Sequence, residues 1–384
     1  MRHSMHLHQR RTTAATLAYA LYGIAALTAC GPRVSPVSAQ EIATSPVRLE
    51  QLVRVTRVLP LENRDLALGA IGKAFEEPGT GHIFVSDSGW SSRVYRFDSL
   101  GRFVRAYRPV QETRRREPHL IDFAVDHTGV YLLTQFSLEK LRLADGALAA
   151  SAPPPQLPLR LTAQGGGVCV FTTRAGLACY DDKLRPTTAL ATVEQKKLAR
   201  YIFAPPYPLA TTSSGLLALA EFYSPTLWLY EPANRRSRVV TVPGSRWNRR
   251  AFDELWQGRQ DRPLGPGDEN KVRQAVRRFD KVLPLPDGRV VLYDTCWGSG
   301  SADLLLLDPQ SLEVRRYPRF IGSLTSESGR QVNILDLVVG TSAAGVLGRL
   351  TDNDAATALS TFAPAAAACR DSWQCLFFLE FARR

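Results

Sequence analysis

"GHIFVSDSGWSSRVYRFDSLGRFVRAY", residues 81–107, holds two turn signals and three short runs in which apolar and polar residues alternate. Gly81 precedes the first run, and Gly101 separates the second run from the third. Alternation with a period of two is the pattern of a β-strand, and glycine supplies the backbone freedom that tight turns need. The stretch therefore predicts short strands joined by tight turns.

The same turn recurs along the chain, each time before a short β-prone run. The glycines that end these turns are Gly81, Gly129, Gly167, Gly215, Gly288 and Gly345. An acidic turn residue then closes a later strand in the first five units: Asp98, Asp145, Asp181, Glu231 and Asp308. Both landmarks repeat at an irregular interval of about 40–50 residues, the length of a propeller blade. Because one four-stranded sheet cannot bury both of its faces alone, the repeat predicts an all-β fold, a six-bladed β-propeller.

One unit also resembles a known repeat. The apolar strand 83–87 ending in Asp87, the small-residue loop 88–92, the strand 93–97 that starts at Arg93, and the turn at Gly101 resemble an NHL repeat. The resemblance covers this one unit. It implies a six-bladed β-propeller lipoprotein of the kind found in Gram-negative bacteria.

The two ends of the propeller are expected to close on each other. Residues 51–61 alternate like an extra strand, and residues 375–381 end the chain with "CLFFLEF". We expect these segments to complete the last blade together, within a propeller that spans residues 49–384. Residues 30–48 carry Pro, Ser and Ala without periodicity and are predicted to form a flexible tether.

A helical insertion is predicted at about 244–281, between the fourth and fifth units. In its second half Val272, Ala275, Val276 and Phe279 follow the i, i+3, i+4, i+7 spacing of a helix. The insertion has ten basic and six acidic residues, a net charge of +4. Together with "TRRREP" at 113–118, it is expected to cover the channel mouth as a lid and to make the site beneath prefer an anion. The alternative is that its helices only cover exposed blade edges and that their arginines face water.

The N-terminus carries the signals of an exported lipoprotein. A basic stretch, residues 1–11, precedes an uncharged apolar stretch, residues 12–29. A transmembrane anchor is the alternative, but Leu27-Thr28-Ala29-Cys30 resembles the bacterial lipobox, which implies cleavage after residue 29 and lipidation of Cys30. Cys30 is followed by Gly31 and not by the Asp that favours inner-membrane retention of lipoproteins, so the motif resembles that of an outer-membrane lipoprotein. The membrane is thus an expected partner through the N-terminal lipid.

Composition limits the classes of function. The formal net charge is +12, and loss of three arginines with the signal peptide leaves 12 − 3 = +9. The basic residues are scattered rather than clustered among aromatics, so nucleic-acid binding is not predicted.

An oxidising compartment favours disulfides. We expect Cys169–Cys179 across a hairpin and Cys369–Cys375 around a tight loop, with Cys296 left as a free thiol.

The candidate site lies on the face that carries the loops between second and third strands and the connections between blades. Aromatic and arginine side chains are typical of binding surfaces. The candidates on this face are Trp90, Arg93, Arg115, Arg116, His119, Tyr223, Asp294 and Trp297. The pattern favours a non-catalytic protein that binds a small molecule, a glycan or another protein at the envelope, with no cofactor.

A metal-dependent propeller hydrolase or lyase, similar to lactonases, is the alternative. Its calcium would need carboxylates from several blades, and the chain offers Glu221, Asp294, Asp352 and Asp354. "DND" at 352–354 resembles a fragment of a calcium loop. Zinc chemistry is not predicted, because only His82, His119 and His127 remain after cleavage.

Overall fold

The computed structural model describes residues 33–35, 38–41, 46–62, 66, 68–87, 92–110, 118–156, 158–164, 166–172, 176–190, 209–212, 214–220, 226–231, 236–242, 278–296, 301–370 and 374–382. The predicted signal peptide and Cys30 lie outside these residues, as do residues 244–277 of the predicted insertion. The described chain is mostly β-strand, with few helices, and has the topology of a β-propeller.

The N-terminal part contributes strands to sheets that form much further along the chain. Its elements are β1 (Arg33–Ser35), β2 (Ser38–Glu41), α1 (Leu49–Leu52) and β3 (Val53–Pro60).

Successive groups of four antiparallel strands follow. The first two groups are β4 (Ile71–Glu76), β5 (Ile83–Asp87), β6 (Val94–Phe97) and β7 (Phe103–Tyr107), then β8 (Leu120–Asp126), β9 (Gly129–Thr134), β10 (Leu138–Leu141) and β11 (Leu148–Ala152). The third group is β12 (Pro158–Gln164), β13 (Gly167–Thr172), β14 (Gly176–Tyr180) and β15 (Pro186–Leu190). The next two are β16 (Leu209–Thr211), β17 (Leu217–Ala220), β18 (Thr226–Glu231) and β19 (Arg236–Thr241), then β20 (Arg278–Pro284), β21 (Val290–Cys296), β22 (Ser301–Leu307) and β23 (Glu313–Phe320).

The C-terminal part adds a hairpin, two short helices and the strands of a further sheet. These elements are β24 (Ser323–Thr325), β25 (Gln331–Asn333), β26 (Val338–Thr341), β27 (Val346–Leu350), α2 (Asn353–Ser360), a 3₁₀ helix (Pro364–Cys369) and β28 (Cys375–Phe381). The hairpin β24–β25 lies in the connection between two sheets, and α2 lies between the second and third strands of the last one.

The turns follow the two sequence landmarks. Each of the six glycines lies between the first and second strands of its group, or begins the second strand. Gly288 has φ +89°, a conformation that favours glycine. A Cβ on Gly345 would meet the backbone oxygen of Leu379 at 1.9 Å. At the turns between third and fourth strands, the predicted aspartates accept a hydrogen bond from the backbone N–H two residues on; for Asp98 that donor is Leu100, at 2.9 Å.

The chain ends close on each other as predicted. β3 pairs antiparallel with β28, from Val53 opposite Phe381 to Pro60 opposite Cys375. The resulting sheet β26–β27–β28–β3 joins the first group through a short parallel pairing of β26 with β4. The first strands of the groups contact one another in the order β4, β8, β12, β16, β20 and β26, which returns to β4.

Apolar cores lie between consecutive sheets. The second strands, such as β5 and β9, are buried along their whole length. Alternation in β5 divides its side chains between two cores: Ile83 and Val85 pack towards the last sheet, and Phe84 packs towards the second group. The alternation in the sequence therefore marks two buried faces, rather than the one buried and one exposed face of a half-buried strand.

The tether prediction is wrong for part of its length. β1 pairs parallel with the outer strand β19, and β2 pairs parallel with the outer strand β23. Val47 is buried, and its carbonyl accepts the N–H of Ile321. The outer strand of a sheet exposes backbone N–H and C=O groups that lack a hydrogen-bond partner. An extended segment can pair with these groups through its own backbone, so the pairing does not depend on its side chains.

The insertion prediction is wrong at its C-terminal end. Residues 278–281 lie in β20, and Phe279 is opposite Asp294 of β21. Backbone pairing along seven residues of an innermost strand outweighs the local helical spacing, since tertiary context overrides a weak propensity.

Both predicted disulfides are present. Cys169 pairs with Cys179 across the facing strands β13 and β14. Cys369 and Cys375 join the end of the 3₁₀ helix to the start of β28. Cys296 is the last residue of β21.

Candidate functional site

The loop face of the first two groups carries an exposed apolar pair. Val110 lies in the connection between β7 and β8, and Phe136 lies in the loop between β9 and β10. Val110 is 49% exposed and Phe136 is 44% exposed. We call these two residues the apolar pair.

A buried carboxylate holds the two segments together. Glu139, the second residue of β10, is fully buried. One oxygen accepts the backbone N–H of Val110 at 2.7 Å, and the other accepts the hydroxyl of Ser137 at 2.7 Å. The connection and the loop are thus fixed to the same side chain.

The loop that presents Phe136 is itself tightly ordered. The hydroxyl of Thr134, which is buried, accepts the backbone N–H groups of Phe136 at 3.0 Å and of Ser137 at 2.9 Å. Such side-chain bonds to nearby backbone define a turn. The aromatic ring of Phe136 is therefore held outward on a rigid support instead of being buried.

Two of the predicted binding residues lie in the described chain with their side chains. Arg93 is exposed at the end of the loop between β5 and β6, and His119 is exposed immediately before β8. Both belong to the same loop face as the apolar pair. Asp294 lies in β21, opposite Asp303 of β22.

The remaining predicted binding residues lie outside the described residues. They are Trp90, Arg115, Arg116, Tyr223 and Trp297. Their place on the loop face stays a prediction.

Sequence reasoning missed the apolar pair. A signal for Phe136 was available, because "TQFSL" places an aromatic residue in a short polar turn between two strands. An apolar side chain in such a turn has no core to enter, so exposure can be expected. Val110 gave no comparable signal.

Beneath the loop face, one ion pair ties three first strands together. Lys73 of β4 donates from Nζ to Asp122 of β8 at 2.9 Å and to the carbonyl oxygens of Phe123 and Leu161. Asp122 also accepts the backbone N–H of Leu161 in β12 at 2.8 Å. The lysine is fully engaged and serves to hold the sheets in register.

The predicted calcium fragment forms a helix start instead. Asp352 caps α2 by accepting the backbone N–H of Ala355 at 2.7 Å. Asp354 accepts the hydroxyl of Ser328, and Arg330 lies 3.3 Å from both carboxylates. The calcium-loop interpretation of residues 352–354 is wrong, because a cap and an arginine take up these oxygens.

The region around Arg330 is a second structured part of the loop face. The hairpin β24–β25 packs on α2 through Leu324 and Val332, which share a core with Leu359. Within the described part of the chain, no group of three or more His, Cys, Asp or Glu side chains could hold a metal ion. Glu221 and the side chain of Asp294 are not among those residues.

Of the helices that the described ranges contain, none is long and apolar enough to cross a membrane.

Solved structures align with this chain at low sequence identity. No family model matches the chain, and no curated protein matches it in sequence. A protein of Bacteroides fragilis described as exported aligns with a TM-score of 0.57 at 11% identity, over 91% of this chain and 100% of that one. A member of the DUF4221 family from Bacteroides vulgatus aligns with a TM-score of 0.49 at 8% identity, over 87% and 100% of the two chains. The β-propeller domain of Cps50 (Swd1) from Myceliophthora thermophila aligns with a TM-score of 0.44 at 9% identity, over 78% and 83%. At such identities the first likeness concerns the fold alone.

Proposed function

We propose that the protein is an exported, lipid-anchored propeller of six blades that binds a ligand on its loop face without transforming it. The closed order of first strands, from β4 through β26 and back to β4, supports the count of six. The lipobox-like residues before Cys30 support the anchor and an outer-membrane location.

The observation that carries the binding role is the apolar pair. Exposed apolar side chains are common singly, but a rigid aromatic residue on a well-ordered loop resembles the anchors of binding surfaces. The buried carboxylate of Glu139 fixes Val110 and the loop of Phe136 before any ligand arrives. Such preorganisation lowers the entropy cost of binding.

The proposed ligand is a small molecule, a glycan or a protein with an anionic group. Arg93 and His119 border the same face, and the connection at 111–117 adds three arginines to it in sequence. Arginine suits carboxylates and phosphates because its guanidinium group offers a planar fork of donors. The insertion at 244–277 remains a proposed lid over this face.

A defined panel of sugar acids and acidic glycans tests the proposal by calorimetry. Phe136→Ala should weaken binding of any ligand found by about tenfold or more, as expected for an anchor. Leu100→Ala is the matched control, because Leu100 is 67% exposed but lies at the turn between β6 and β7, away from the loop face.

Mass spectrometry of the recovered ligand separates binding from catalysis. Unchanged ligand, with binding that survives a metal chelator, agrees with a binding protein. Hydrolysis or elimination of the ligand would replace the proposal by the enzyme alternative. Equal loss of affinity in Phe136→Ala and Leu100→Ala would remove the apolar pair from the site.

A further inference from the structure

Arg349 lies in the crevice where the last sheet meets the first group. It belongs to β27, two residues after Leu347, so both side chains leave the strand on the same face. Leu347 packs in the core between these sheets, together with Ile71 of β4. The Arg349 side chain thus enters the same crevice as Leu347, at the next position of β27 on that face, which is nearer to the loop face.

The guanidinium group has few partners there. Nη1 donates to the carbonyl oxygen of Ile71, the first residue of β4. Nε is buried and has no hydrogen-bond partner. No carboxylate of the described chain forms an ion pair with Arg349.

Two other partly buried arginines of the described chain are paired with a carboxylate. Arg57 lies 2.8 Å from Glu76, and Arg316 lies 2.7 Å from Asp303. Burial lowers the pKa of the Arg349 guanidinium, and no acid among the described residues opposes this effect. A cation withdrawn from water without a counter-charge is costly, so proteins pair such groups or leave them for a ligand.

We infer that this crevice is an anion-binding site in which Arg349 receives a carboxylate or a phosphate group. A guanidinium group binds these anions through charge-assisted hydrogen bonds from its N–H groups. The carbonyl oxygen of Ile71 is neutral, so it orients the guanidinium group and leaves the positive charge uncompensated.

Arg349 lies in the half of β27 that is nearer to the loop face. The connection that leads into β4 passes beside it, fixed where Gln374 donates to the carbonyl oxygen of Leu68 at 2.9 Å and where Ala70 donates to Asp87 at 3.2 Å. A partly exposed Arg349 below this connection can be reached from solvent. The site is independent of the apolar pair, which lies on the first and second groups.

Thermal unfolding in added anions tests the inference on the full chain. Phosphate and acetate are titrated against chloride at constant ionic strength, because a ligand that binds only the folded state raises the melting temperature. The wild type should show a saturable rise with at least one of the two anions. Comparison of the two then identifies phosphate or carboxylate as the preferred group.

Arg349→Met should abolish that saturable rise, or shift its midpoint at least about tenfold higher in anion, as expected for loss of charge-assisted bonds. Arg349→Lys keeps the charge but loses the fork, and should bind more weakly than the wild type. Arg330→Met is the control, since Arg330 is exposed and already paired with two carboxylates. Absence of a saturable rise in the wild type, or an equal rise in the folded Arg349 variants, would overturn the inference.

Discussion

Replacement of Asp122 by alanine should be one of the most damaging single substitutions on the first strands. The Asp122 side chain is only 2% exposed and accepts three hydrogen bonds. The donors are Nζ of Lys73 at 2.9 Å, the N–H of Phe123 at 2.9 Å and the N–H of Leu161 at 2.8 Å. These bonds join β4, β8 and β12, so the loss affects three sheets together.

The magnitude follows from what each donor loses. The N–H groups of Phe123 and Leu161 are buried, and each buried donor left without a partner costs about 1–3 kcal/mol. Lys73 is 32% exposed and keeps two carbonyl acceptors, so the ion pair itself contributes only about 0–1 kcal/mol. Asp122→Ala should therefore lower the free energy of unfolding by about 3 kcal/mol.

Urea unfolding followed by circular dichroism measures this loss, provided that the slope with urea is unchanged. Lys73→Met is the matched variant, because it removes the ion pair but leaves both backbone bonds to Asp122. It should cost about 1 kcal/mol, and the double variant gives the coupling between the two residues. The reasoning fails if Asp122→Ala costs less than about 1 kcal/mol, or if Lys73→Met costs as much as Asp122→Ala.

Three further predictions concern acid stability, the second disulfide and the docked N-terminal strands. Hydrogen bonds from Arg142 and from backbone lower the pKa of Asp145 to about 2, so this carboxylate stabilises the fold above its unfolded pKa of about 3.9. The stabilisation should disappear as the pH falls from about 4 to about 2. In Asp145→Asn, the urea midpoint should therefore depend less on pH over that range than it does in the wild type. Replacement of Cys369 and Cys375 by serine should lower the free energy of unfolding by about 2 kcal/mol in chemical denaturation, because the short closed loop no longer restricts the unfolded chain. Ala39→Pro should speed hydrogen exchange of the β23 amides without unfolding the propeller, because proline disrupts the pairing of β2 with that strand; unchanged exchange would mean that the segment is not docked.

The repeat could be predicted from sequence because its signals are local. Glycine at the first turn and aspartate at the last depend on backbone conformation within four residues, as Gly288 and Asp98 show. Closure was also predictable, since a strand before the first unit has no other partner than the incomplete last sheet. Both disulfides followed from cysteines placed on facing strands or around one loop.

Features that depend on distant parts of the chain could not be predicted in this way. β1 and β2 pair with the outer strands β19 and β23, which lie some 200 residues or more away in the sequence. The Pro, Ser and Ala residues of the N-terminal segment do not indicate this pairing. The unpaired state of Arg349 depends on which sheets meet at the closure. α2 was missed although Asp352 followed by alanines and Leu359 is a recognisable helix start, because the same aspartates suggested a metal loop.

The docked strands also bear on how the protein would sit at a membrane. Two residues separate Cys30 from Arg33, the first residue of β1, and an extended residue spans at most about 3.6 Å. The covalent chain therefore allows no more than about 11 Å between the Cα atoms of Cys30 and Arg33. If Cys30 carries the proposed lipid, the outer edge of the sheet β16–β19, where β1 pairs with β19, lies close to the bilayer surface. The propeller is then not separated from the membrane by a long flexible tether. The loop face lies at the ends of the strands and not along that edge, so an anchor at this position leaves the face open to a ligand.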